Sequence, residues 1–214
     1  MRRLFVFPLS PYSRRVRLVL FRKSLDVELI DARSDSAARE TMRRLYPMRT
    51  APVLVEDSGL ALGDSYAIAN YLERAYPGPA LWPQDPLDVA RVAQTIALTD
   101  GALGTVIDLA TRYYPLRTHD AWPGVLEDMG GRAQAALDAL AATVEGRKHF
   151  TIAEANWSIG DIWLYTAVTW LEGLPARAST YAPAAQLVSL GWNLPSGLTR
   201  WADAHRQRPD VLAL

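Results

Sequence analysis

The chain has 214 residues, half of them apolar, and carries 23 basic against 23 acidic side chains. That length suits one large domain or two small ones, with two as the working count, and the even charge excludes the basic excess that holds a protein on a nucleic-acid backbone. With no cysteine, disulfide frameworks, thiolate metal sites and a cysteine nucleophile are excluded as well. The charge is nonetheless uneven: residues 1–77 hold 13 basic and 9 acidic side chains, and the remainder holds 10 and 14. A mildly positive first half suits a small anionic ligand.

Leu4 to Phe7 is a short apolar run that reads as a strand buried on both faces and stops at Pro8. Ser10 reads as an N-cap with Pro11 at the first helical position, and a helix is expected to about Lys23. Asp26 to Asp31 reads as a second strand, and Ser36 to Leu45 as a short polar helix. Val53–Val55 and Leu60–Leu62, separated by Asp57-Ser58-Gly59, carry hairpin chemistry. Asp64-Ser65 opens a helix whose Ile68, Tyr71, Leu72 and Ala75 form one apolar stripe, ended by Pro77-Gly78-Pro79. The order βαβαββα predicts a thioredoxin-like α/β domain over residues 1–78, followed by a linker over 79–88.

The remainder, 89–214, is expected to be an all-helical domain. Asp85-Pro86 starts a long helix to about Tyr113, with Val92, Ile96, Leu103, Val106 and Ile107 on or near one stripe. Gly101 and Gly104 lie inside it, each costing an isolated helix about 1 kcal/mol, so close packing is expected to compensate. Further helices are expected near Val125–Val144, Ile159–Leu171 and Gly197–His205. No stretch approaches the roughly 18 apolar residues of a membrane helix, and no signal peptide is legible, so a cytoplasmic protein with no membrane association is expected. His119, His149 and His205 are far apart, so no metal is expected.

Four local patterns, Ser10-Pro11-Tyr12-Ser13, Ala51-Pro52-Val53-Leu54, Gly63-Asp64-Ser65 and Trp157-Ser158-Ile159-Gly160-Asp161, together resemble the glutathione transferase superfamily in its serine and cysteine classes. The resemblance covers nearly the whole chain. It implies that the residue at Ser10 faces the sulfur of glutathione, the co-substrate, with Tyr12 and Ser13 as alternative donors; Ser10 taken alone reads as a plain helix cap. A hydroxyl donor and a helix N-terminus both favour an ionised thiol.

The resemblance also implies a cis bond before Pro52, with Ala51 and the backbone of Val53 beside the cysteinyl part of glutathione. Asp64 and Ser65 would meet the γ-glutamyl carboxylate. Ser158 and Asp161 resemble a buried capping box. Asp100, in Asp100-Gly101, resembles a residue that some members set against the glutathione amine of a neighbouring subunit, so a homodimer is expected. The expected electrophile pocket comprises Pro11, Tyr12, Ile107, Tyr113 and Tyr114.

Where many members have Asn-Pro-x-Gly-Lys, this chain has Tyr46-Pro47-Met48-Arg49-Thr50, so Arg49 stands in for a lysine that often meets the glycine carboxylate. The implied activity is attack of the glutathione thiolate on a small hydrophobic electrophile, in the manner of detoxification enzymes. A glutathione-dependent isomerase or reductase, or a non-catalytic glutathione-binding protein of the same fold, stays open as an alternative.

Overall fold

The computed structural model describes residues 1–145, 147, 157–189 and 191–212. They divide into two compact units, Met1–Trp82 with Arg206–Leu214, and Pro83–His205.

The first unit runs β1 (Arg3–Val6), α1 (Pro11–Arg22), β2 (Glu28–Asp31), α2 (Ser36–Leu45), β3 (Val53–Val55), β4 (Ala61–Gly63) and α3 (Ser65–Ala75). This is the thioredoxin-like order expected above. The four strands lie in the order β2-β1-β3-β4, with β2 parallel to β1, and β3 antiparallel to both β1 and β4. Successive side chains alternate between faces, so Phe5, Val53 and Val55 share a face and pack with Ala38 and Met42 of α2. On the opposite face Leu4, Val6 and Leu54 are buried, and α1 packs against α3. Ionic ties fasten the edges of this unit: Lys23 pairs with Glu73 at 2.6 Å, and Glu56 receives the Arg2 guanidinium at 3.1 Å and the Tyr76 hydroxyl at 3.0 Å.

The second unit is helical: α4 (Pro86–Leu116), α5 (Trp122–Val144), α6 (Ile159–Leu171), α7 (Gly173–Arg177), α8 (Ala182–Ser189) and α9 (Ser196–Asp203). The long α4 packs along α5 and α6, burying Val92, Ile96, Leu103 and Val106. Among the described residues nothing packs closely on Gly101, contrary to the expectation: this glycine is exposed, and a Cβ there would meet nothing within 4 Å. Neither α7 nor α8 was expected, since α7 spans only five residues and no N-cap residue announces α8. The terminal α10 (Pro209–Leu212) belongs to the first unit, where Asp210 receives Arg22 of α1 at 3.1 Å.

Candidate functional site

Strand register gathers the expected site residues of the first unit at one edge of its sheet. Phe5 pairs with Val53, and Val53 pairs with Gly63. Because β3 is antiparallel to both neighbours, its N-terminal end lies beside the C-terminal ends of β1 and β4. The segments carrying Ser10, Ala51-Pro52 and Asp64-Ser65 therefore leave the sheet side by side, with Asp31 at the end of β2 on the same edge.

Ser10 caps α1 in extended conformation, and its Oγ accepts the Ser13 N–H at 3.4 Å. Pro11 at the first helical position donates no N–H, and the first turn holds no acidic residue that would cancel the positive end of the helix. Ser10 is half-buried, and its capping role uses only an acceptor lone pair, leaving the O–H to donate. Tyr12 is half-buried, with the Arg15 guanidinium 4.7 Å from its ring centre. Pro11 is buried.

Ser13 departs from its expected role. It is fully buried, and its Oγ accepts the Phe7 N–H at 3.2 Å, so the side chain fastens the β1–α1 loop from inside and is turned away from any ligand outside it.

The Ala51–Pro52 bond is cis. Val53 also departs from expectation, because β3 is an interior strand and both of its flanks are taken by β1 and β4. The N–H and C=O of a residue in such a strand point to an occupied neighbour, and Val53 is 0 % exposed. Ala51, half-buried, lies ahead of the first paired register, so its backbone is outside the ladder.

Asp64 caps α3 from the left-handed region, φ 73°, and its carboxylate accepts the N–H groups of Tyr66 and Ala67 at 2.9 Å each. The exposed acidic side chain thereby satisfies part of the helix end, and Ser65 beside it is only 3 % exposed. Arg49 is exposed, has φ 58°, and donates its backbone N–H to Tyr46 O at 2.9 Å. Asp31 closes the edge: Ser34 Oγ–H donates to its carboxylate at 2.7 Å and Arg33 N–H at 2.8 Å, and these bonds hold its pKa below the usual carboxylate value.

In the second unit, Asp100 is half-buried and receives the Trp163 indole N–H at 3.2 Å. Ile107 and Tyr113 are half-buried, and Tyr114 is exposed. Tyr113 meets Tyr114 edge-on at 5.1 Å and Trp122 at 6.3 Å. The Ser158 capping box is present and closed. Ser158 Oγ–H and N–H donate to Asp161 at 2.6 and 2.8 Å, and Asp161 N–H donates back to Ser158 Oγ at 3.3 Å.

Sequence reading missed Tyr46, whose ring lies against Gly63; an aromatic side chain at a position where asparagine is commoner was the available signal. Among the described residues no helix is long and apolar enough to cross a membrane, and no group of three His, Asp or Glu side chains is placed to hold a metal. His149 lies outside the described residues.

Residues 4–80 match the family described as glutathione S-transferase, N-terminal domain. The chain is 34 % identical over 94 residues to a protein of Escherichia coli K12 named as an uncharacterized GST-like protein, YibF; the match covers 44 % of this chain and 46 % of that protein. It is 40 % identical over 81 residues to the maleylacetoacetate isomerase of Rattus norvegicus, covering 36 % of this chain and 37 % of the enzyme. The chain thus spans less than half the length of these curated relatives. Among solved structures, a glutathione S-transferase of Methylobacterium radiotolerans in complex with glutathione sulfonate superposes with a TM-score of 0.78 at 26 % identity, over 99 % of this chain and 92 % of that one.

Proposed function

Because the chain belongs to the glutathione transferase superfamily, we propose that it is a glutathione-dependent enzyme in which Ser10 stabilises the glutathione thiolate for attack on a small hydrophobic electrophile. The observation that carries this reading is the state of Ser10: a half-buried cap at a proline-started helix, with its O–H left to donate.

A thiol of ordinary pKa, about 8.5, is mostly protonated near neutral pH. A hydrogen bond from Ser10 and the partial positive charge of α1 both favour the anion, which makes the nucleophile the major species. In this reading Ala51 offers its backbone to the cysteinyl part of glutathione, Asp64 and Ser65 meet the γ-glutamyl end, and Arg49 meets the glycine carboxylate. In this reading Pro11 and Tyr12 of the first unit lie beside the electrophile. The thiolate sulfur forms a bond to carbon, and the leaving group departs with its electron pair. Asp100 serves the amine of a glutathione on the neighbouring subunit of a homodimer.

The kinship with a protein named maleylacetoacetate isomerase favours a second reading of the same site, isomerisation. There the sulfur adds to a cis double bond, rotation follows, and sulfur is expelled again, so glutathione is regenerated. Retention on glutathione-agarose tests the binding. Turnover with chlorodinitrobenzene, counting glutathione, then separates the two chemistries: transfer consumes one glutathione per product, and isomerisation of a maleyl substrate consumes none. Binding without turnover on either substrate would leave a glutathione-binding protein without catalysis.

A further inference from the structure

Tyr46 ends α2 as an extended cap, its N–H bonded to Met42 O at 3.1 Å. Its ring occupies the space above Gly63, where a Cβ would sit 2.2 Å from Tyr46 Cγ and Cδ2, closer than atoms approach. The ring also packs on the core formed by Phe5, Met42 and Val53. Gly63 is the last residue of β4 and is followed directly by Asp64 and Ser65. On the other side, the Tyr46 carbonyl receives the N–H of Arg49, which closes the turn ahead of Ala51-Pro52. Tyr46 therefore touches both loops in which glutathione would be held at its two carboxylate ends, its ring lying against Gly63 and its main-chain carbonyl holding Arg49 N–H. Residues 47–50 between them are all exposed.

We propose that Tyr46 is a positioning residue, a clamp that sets the spacing between the Arg49–Ala51 loop and the Asp64-Ser65 turn; the inference rests on the glutathione reading above. A ligand bridging two loops binds more tightly when those loops are ordered beforehand, because less freedom is lost on binding. Ser10 lies on a third loop, so the clamp acts on affinity and leaves the thiolate alone. It also gives a reason for glycine at position 63 that turn geometry does not supply, since Gly63 has no positive φ.

The test compares Tyr46→Ala, Tyr46→Leu, Tyr46→Phe and Gly63→Ala in the full chain. Calorimetry with reduced glutathione reads affinity, absorbance near 240 nm titrated with pH reads the bound thiol, and amide hydrogen exchange of the ligand-free protein reads the two loops. Tyr46→Ala and Tyr46→Leu are expected to weaken glutathione roughly three- to tenfold, the scale of an aromatic contact. They should leave the thiol titration unmoved and speed exchange in residues 47–51 and 64–66 together. Gly63→Ala should act alike by expelling the ring, and Tyr46→Phe should match the unaltered protein. Tyr46→Leu preserves much of the core volume if the alanine variant is too unstable to measure. Unchanged affinity in a folded Tyr46→Leu protein, or faster exchange confined to residues 47–51, would overturn the clamp. If the unaltered protein takes up no glutathione, the reading of the site fails, and the ligand-free exchange pattern alone then decides the clamp, for or against.

Discussion

Ser10 and Ser158 begin as the same signal, a serine in front of a helix, and end in opposite chemical states. Ser158 is buried, and its N–H, its O–H and its oxygen are all spent on Asp161 three residues on. Ser10 is half-buried, has Ser13 rather than an acid three residues on, and uses only an acceptor lone pair. A saturated cap is a fastening, because any approaching group would have to displace bonds already made. An unsaturated cap at the rim keeps a donor and part of a helix dipole for something else. The contrast teaches that the third residue after the cap, together with burial, distinguishes the two roles.

The largest expected effect breaks the closed side of this comparison. Asp161→Ala strands the N–H of Ser158 in the interior and should cost about 3 kcal/mol of stability, read by urea denaturation. A loss under about 1 kcal/mol would mean that Ser158 is less tightly closed than its geometry implies. On the open side, Ser65→Ala should weaken glutathione at least roughly tenfold by calorimetry, since a hydrogen bond to a charged group is worth about 1.5–3 kcal/mol. The bound-thiol titration should not move.

Ser10→Ala sharpens the comparison from the other direction. Its cost as a cap should be about 1 kcal/mol or less, in contrast to Asp161, while the bound-thiol pKa rises and turnover falls with glutathione affinity little changed. An unmoved thiol titration would shift the donor role to Tyr12, because Ser13 is fully buried. The smallest effect belongs to Asp31. Its folded pKa is depressed by Ser34 and Arg33, so its contribution to stability is full above the unfolded value of about 3.9 and is lost as pH falls through the lower folded value. The stability difference between the unaltered protein and Asp31→Asn should therefore shrink as the pH is lowered below about 4, and a constant difference across that range would refute the assignment.

Features that rest on a few neighbouring residues could be read without the fold. Serine or aspartate ahead of a helix, proline at its first position and glycine in a hairpin act through bonds made within a turn of chain, so Ser10, Asp64, Asp85 and Ser158 all cap the helices they precede. The same locality placed α2 and α6 at their observed boundaries.

Val53 was misjudged for the opposite reason. Whether a strand residue has free backbone depends on how many strands flank it, and β3 becomes interior only when β1, some fifty residues earlier, and β4 close on either side. Ser13 likewise turned inward because of Phe7, which lies just past the end of the preceding strand. α10 is held by a charge pair between Arg22 and Asp210, 188 residues apart, and no local pattern announces such a partner.

Short-range chemistry is enough to set the element order from β1 to α6, the caps and the kinship, because the chain satisfies it wherever it goes. Tertiary structure settles which capped ends stay open, which backbone lies outside the sheet and that Tyr46 joins two loops. Those depend on what long-range packing places beside each group, and burial leaves free only the groups that packing does not use.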